Sequence, residues 1–106
     1  MSTMPGAHIR KRLEIIVEHP TLRLVESILE ACGVHVFTVL EGREGRGLHG
    51  RWDDQNLADA FDQRVVIAVT TDDVAVRVCE QLQDLFKRYP GVVLLSDVEV
   101  LRAERF

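Results

Sequence analysis

Residues 13–40, LEIIVEHPTLRLVESILEACGVHVFTVL, carry the pattern that decides the fold. Leu13, Ile15 and Val17 alternate with Glu14, Ile16 and Glu18, and period two with β-branched residues reads as a strand. Its second face is not purely polar, because Ile16 lies there, so that face is suited to a partner chain. His19-Pro20-Thr21 stops the strand, and Pro20 fits the first turn of a helix. Leu22, Val25, Ile28, Leu29 and Cys32 then recur at helical spacing, and Gly33 supplies the C-terminal stop. Val34 to Leu40 reads as a second strand. Val34, Val36, Thr38 and Leu40 fall on one of its faces, and His35, Phe37 and Val39 on the other.

The second half repeats this plan after an interruption. From Glu41 to Arg64 the pattern lapses into charges and Gly42, Gly45, Gly47 and Gly50, with a weak helical spot at Leu57, Ala58 and Phe61. The stretch is too long for an ordinary connection, and long loops in compact domains are functional or disordered. Val65 to Thr70 reads as a third strand. Thr71 is placed to cap a helix whose first turn holds Asp72 and Asp73, favourable to the helix dipole. Val74, Val78, Leu82, Leu85 and Phe86 form its apolar stripe, and Pro90-Gly91 ends it. Val92 to Leu95 and Val98 to Leu101 complete a fourth strand, expected to bend near Ser96-Asp97.

The order is β-α-β-β-α-β, an α+β class. Right-handed crossovers place both helices on one face of a four-stranded antiparallel sheet. The other face is left bare, covered by Ile16, Phe37, Val39 and either Val66 with Ala68 or their alternates. A bare apolar face marks an interface, so a homo-oligomer is expected.

The chain has 106 residues, which sets one domain as the expectation. At 46% hydrophobic and 28% charged it has the composition of a folded domain rather than a disordered one. A net charge of −4 argues against non-specific binding to nucleic acid or to an anionic membrane. No apolar run reaches the ~18–20 residues of a membrane span. Met1 to His8 has no signal-peptide core, and residues 1–9 are expected to be disordered. Cys32 and Cys79 lie in helical patterns outside any CxxC pair, and read as buried free thiols rather than as a disulfide. A cytoplasmic protein is expected.

Nothing in the sequence assembles a catalyst. His8, His19, His35 and His49 stand one per segment without metal-ligand spacing. Ser2, Ser27 and Ser96 lack the glycines of a nucleophile elbow. Asp72-Asp73 is explained by helix capping, and Asp53-Asp54 reads as a solvated cluster rather than an acid–base couple. No set of residues meets the requirements of a catalytic site, so a non-enzymatic protein without a metal is expected. One segment stands out, Gly42-Arg43-Glu44-Gly45-Arg46-Gly47-Leu48-His49-Gly50. Glycines let backbone amides approach an anion and arginine adds a bidentate donor. The segment is either an anion site or a flexible hairpin tip.

From Arg12 to Leu101 the chain resembles the PII signalling family. Gly33-Val34-His35-Val36-Phe37-Thr38-Val39 resembles the family's Gly-hydrophobic-x-x-x-Thr-Val signature and leads into a Gly-Arg loop, as the PII T-loop does. Asp72-Asp73 and Ser96-Asp97-Val98 also fit. The resemblance implies a ferredoxin-like homotrimer that binds adenine nucleotides in clefts between subunits, with a mobile T-loop at 41–64 that docks on a transporter or enzyme. Three departures separate this chain from nitrogen regulators. The phosphate clamp before strand four shrinks to Arg88-Tyr89-Pro90-Gly91-Val92, the T-loop has no tyrosine to uridylylate, and Ala68 stands where a glutamate is expected. The chain looks more like the PII-like branch associated with carboxysomes and bicarbonate transporters, whose members bind ADP, AMP or cyclic AMP. The cysteine-bearing extension of some transporter-associated members is absent, which favours the carboxysome-associated type.

Carried over residue by residue, the resemblance makes Thr38 the strand-two threonine that meets adenine. Gly45, Arg46 and Gly47 become the T-loop anchor beside the phosphates, and Gly91 the amide donor of the shortened clamp. Arg102 and Arg105 become the C-terminal arginines that reach phosphate across the subunit boundary. Lys87 and Arg88 are either further phosphate or bicarbonate contacts or a cationic helix C-terminus. The implied ligand is ADP or AMP in preference to ATP, with cyclic AMP as another candidate and bicarbonate in the same cationic pocket. The implied role is control of inorganic-carbon uptake, through a membrane transporter or a carbon-metabolism protein. The rival reading is a ferredoxin-like, ACT-like interaction module without nucleotide sensing. An RNA-binding version lacks aromatic residues on strand three, and Glu18-His19-Pro20-Thr21 is no phosphate cradle for an acylphosphatase-like enzyme.

Overall fold

The computed structural model describes residues 6–47, 50–53 and 62–102. The body strands are β1 (His8–Glu18), β2 (Phe37–Glu41), β5 (Gln63–Thr70) and β6 (Gly91–Val100), hydrogen-bonded in the order β2-β5-β1-β6, with every neighbouring pair antiparallel. Helices α1 (Leu22–Ala31) and α2 (Asp72–Leu85) make the two crossovers. The architecture is the expected ferredoxin-like α+β sandwich.

Alternation fixes which face the helices cover. Leu13, Ile15 and Val17 of β1 and Val66 and Ala68 of β5 are buried, and the register pairs Leu13 with Ala68 and Ile15 with Val66. Val25 and Leu29 of α1 and Val78, Leu82 and Leu85 of α2 close over them. Pro20 lies in a 3-10 turn, His19–Thr21, that feeds directly into α1. At the other end of α1, Gly33 adopts φ +95°. Its amide donates to Glu30 O at 3.1 Å and the Val34 amide to Leu29 O at 2.8 Å, which satisfies the last carbonyls of the helix. Both cysteines are free. Cys32 is buried, with its Sγ accepting a hydrogen bond from Gln81 Nε2 at 3.3 Å, and burial pushes the Cys79 thiol upward from its ordinary pKa.

Five sequence expectations are corrected. Phe37 and Val39 do not lie on the bare face. They pair with Ala68 and Val66 and pack against the core, so Thr38 and Leu40 face the bare side. Counting alternation from Val34 gives the wrong face, because residues 34–36 precede the strand and Val34 is itself buried. The segment expected to be one long loop contains a hairpin, β3 (Glu44–Gly47) and β4 (Gly50–Asp53). Strand β6 runs unbroken through Ser96 and Asp97, which pair with Arg12 and Lys11. Strand β1 already begins at His8, within the stretch expected to be disordered; residues 1–5 lie outside the described residues, as do Leu57, Ala58 and Phe61. Thr71 occupies the N-cap position of α2 without a side-chain capping bond. The Asp73 carboxylate accepts hydrogen bonds instead, from the Thr71 side chain first and then from backbone amides, and these hold its pKa below 3.8.

Candidate functional site

The bare face is built in rows. Leu40, Val65, Ile16 and Val92 form one apolar row across the four strands. Thr38, Ile67, Glu14 and Leu94 form the next, and Val69, Arg12 and Ser96 continue it. Val92 and Leu94 are each 50% exposed and Leu40 47%. In the middle, Arg12 Nη1 and Glu14 Oε1 pair at 3.0 Å. This apolar surface, with one ion pair at its centre, is Ile16's face as expected, with the alternates Val65, Ile67 and Val69 rather than Val66 and Ala68.

Thr38 stands on this face, exposed, on edge strand β2. Where β2 ends, the hairpin begins. Its root is tied down twice: the Gly42 amide donates to Gln63 O at 2.9 Å, and Arg64 Nη2 meets Glu41 Oε1 at 3.5 Å. The Arg64 side chain is only 13% exposed and its Nη1 also donates to Gln63 O at 3.1 Å. Sequence reading leaves Arg64 inside the loop. Its signal is the β-branched run beginning at Val65, which extends back by two residues.

Gly45, Arg46 and Gly47 lie on β3, opposite Trp52, Arg51 and Gly50 in register. Arg46 is exposed and forms no ion pair among the described residues, while Arg51 Nη2 contacts Glu44 Oε2 at 2.9 Å. The sequence does not single out Glu44 and Arg51 as partners, because their pairing depends on the hairpin register.

The remaining candidates lie elsewhere. Gly91 opens β6 and pairs with Val17. A Cβ there would come within 2.2 Å of the Phe86 ring, so the close approach of that ring is the structural reason for glycine. Lys87 lies in the turn after α2 and its Nζ sits 3.7 Å from Asp84 Oδ1, both side chains well exposed. Arg88 borders a shallow groove of about 310 Å³ with Ile28, Glu80, Gln81, Asp84 and Leu85. Arg102 is exposed, two residues past the end of β6, and Arg105 lies outside the described residues.

These placements divide the site. Glu41, Arg64, Val17 and Gly91 form one row across the sheet, so Gly91 and the hairpin root stand on opposite edges. Three strand spacings separate them, about 14 Å. Strand β6 is 10 residues long, which puts its far end, beside Arg102, about 30 Å from Gly91. One chain therefore brings Thr38 and the hairpin to one edge, and Lys87, Arg88 and Gly91 to the other. A single nucleotide cannot touch all of them within one copy.

Lys11 supports the far end of the body. It contacts Asp97 at 2.5 Å and Asp72 at 3.9 Å, and the Asp97 hydrogen bond raises its pKa. Among the described residues no group of three His, Cys, Asp or Glu is arranged to hold a metal. Among them, too, no helix is long and apolar enough to cross a membrane.

These features define a ferredoxin-like domain with a charged hairpin inserted between its second and third body strands. The chain belongs to the P-II family: the family model of nitrogen regulatory protein P-II matches residues 10–105. CPII, a nitrogen regulatory PII-like protein from Thiomonas intermedia K12, bound to ADP, AMP and bicarbonate, is 26% identical with a TM-score of 0.85, over 94% of this chain and 95% of that one. CPII bound to ADP and bicarbonate is 28% identical at a TM-score of 0.83, over 94% and 96%. A putative PII-like signalling protein from Thermus thermophilus shares the fold at 19% identity and a TM-score of 0.81, over 95% and 98%. No curated protein matches.

Proposed function

We propose that the chain is a non-enzymatic PII-like signalling protein that binds an adenine nucleotide in a cleft between copies of itself. The observation that carries this reading is the division of the candidate residues between opposite sheet edges, in a chain whose solved relative holds ADP, AMP and bicarbonate. Packing copies around the apolar face would bring one copy's Thr38 and hairpin toward the next copy's Gly91, Lys87 and Arg88. Arg102 and Arg105 would reach the phosphates across the boundary. A homotrimer is the assembly proposed, with the hairpin segment 41–64 docking on a membrane transporter or carbon-metabolism protein in the cytoplasm.

The shortened connection Arg88-Tyr89-Pro90-Gly91 holds no lysine, and each added phosphate brings charge that must be desolvated and paired. ADP and AMP therefore bind at least as tightly as ATP, and bicarbonate joins AMP where less negative charge is already present. The match to the P-II family over residues 10–105 favours this reading over an ACT-like module without nucleotide sensing. Calorimetric titration of AMP, ADP, ATP and cyclic AMP, with and without bicarbonate, tests it. ATP at least tenfold tighter than ADP, about 1.4 kcal/mol, would overturn the preference. Sedimentation at micromolar concentration should report three subunits, and a stable monomer counts against the divided cleft.

A further inference from the structure

The hairpin β3–β4 is paired against electrostatic sense. Arg46 stands directly opposite Arg51. Like charges directly opposed on an antiparallel pair destabilise it. A sequence built only to close a hairpin would exchange one member of the pair. The relief present is diagonal, from Glu44 Oε2 to Arg51 Nη2 at 2.9 Å. Arg46 is left beside a second guanidinium with no ion pair of its own among the described residues. Local rules broken without structural gain concentrate at functional sites.

We propose that Arg46 and Arg51 form a two-pronged oxyanion site, and that Glu44 occupies Arg51 from within until a ligand oxyanion displaces it. This rests on the proposed nucleotide reading and adds a gate to it. Two guanidinium groups on adjacent strands suit a phosphate or a planar carboxylate-like anion, which can accept a bidentate pair from each. The bound oxyanion removes the Arg46–Arg51 repulsion, and so couples ligand binding to the conformation of the hairpin. Glu44 and Arg51 are 63% and 72% exposed, so the internal pair is a weak competitor rather than a lock. The oxyanion is either a nucleotide phosphate or bicarbonate, and the experiment separates the two.

The test is calorimetry at fixed ionic strength with ADP, AMP and bicarbonate, each alone and then bicarbonate in the presence of AMP. Glu44→Gln should tighten the responsible oxyanion about two- to fivefold, the range of an exposed ion pair. Arg51→Ala should weaken it about tenfold or more. In an Arg51→Ala background, Glu44→Gln should lose its effect, because the two residues act through one contact. Glu30→Gln, exposed near the end of α1, makes the same change in net charge and controls for it. A gain in the ADP and AMP arms assigns the site to phosphate; a gain only with bicarbonate assigns it to bicarbonate. If Glu44→Gln matches Glu30→Gln, or its gain survives in Arg51→Ala, the gate is refuted while the nucleotide reading stands. A wild-type chain that binds none of these ligands overturns the nucleotide reading, and this proposal with it.

Discussion

The body and the hairpin are both antiparallel β-structure, yet they are held by different forces. In the body, Leu13, Ile15, Val66 and Leu82 are wholly buried between sheet and helices. The hairpin is four residues a side, carries Arg46 and Arg51 as a like-charged register pair, and is tied to the body at its root by Gly42 and Arg64. Hydrophobic burial of about 1.5–3 kcal/mol per large side chain fixes the body. An isolated two-stranded hairpin is marginal in water. The body is therefore specified by its own buried pattern, whereas the hairpin depends on its root contacts with Gln63 and Glu41.

The largest effect should come from breaking the body. Leu82→Ala removes a fully buried side chain of α2, at about 2–5 kcal/mol. Urea unfolding should show a lower midpoint with an unchanged slope, while ADP affinity well below the transition stays near wild type. Equal losses of stability and affinity would mean that body and site are not separable. The converse is Arg46→Ala, in which an exposed hairpin side chain is lost. ADP affinity should fall roughly tenfold to hundredfold, the worth of a charge-assisted hydrogen bond. The unfolding midpoint should stay within about 0.5 kcal/mol of wild type. Unchanged affinity would remove Arg46 from the site.

Gly91 sharpens the comparison, because family resemblance and packing give it different roles. As an amide donor it would tolerate alanine, whose backbone N–H is intact. As the seat of the Phe86 ring it would not, since the new Cβ falls within 2.2 Å of that ring. Phe86 is packed against the core, so Gly91→Ala should destabilise by about 1–3 kcal/mol, the usual cost of overpacking. A substitution that alters nucleotide affinity but leaves the unfolding midpoint alone would reverse the assignment.

What is legible in the sequence follows the same division. Leu13, Ile15 and Val17, and the helical stripes through Leu29 and Leu82, are legible because burial imposes a period on the residues themselves. Phe37 and Val39 are misplaced when alternation is counted from Val34, since the strand starts three residues later. That start depends on how the chain leaves Gly33, a tertiary fact with no period to betray it. The hairpin escapes because its strands, Glu44–Gly47 and Gly50–Asp53, are short and carry no alternation of apolar residues to mark them. Arg46 is singled out by its glycine neighbours and the family resemblance. Arg51 and Glu44 become partners only once the register is known.

The smallest effect tests whether the polar contacts at the start of α2 contribute to the body at all. Asp73 is exposed, and hydrogen bonds from the Thr71 side chain, from its own amide and from the Val74 amide, with Arg77 nearby, lower its pKa from 3.8. A carboxylate whose folded pKa lies below its unfolded one contributes stability above the unfolded value. That contribution is lost as pH falls through the folded value. Asp73→Asn keeps the side chain's shape and its hydrogen-bond acceptor but removes the charge. The gap in urea midpoint between wild type and Asp73→Asn should be constant from neutral pH down to about pH 5, then close as the pH falls below about 4. Lys11, whose pKa is raised by Asp97, moves the opposite way. Its contribution is present below the unfolded lysine value and is lost only as the pH rises through the raised lysine value. A gap that stays constant between about pH 6 and about pH 3 would show that the charge on Asp73 does not stabilise α2, and that the apolar stripe of α2 alone holds this end of the helix.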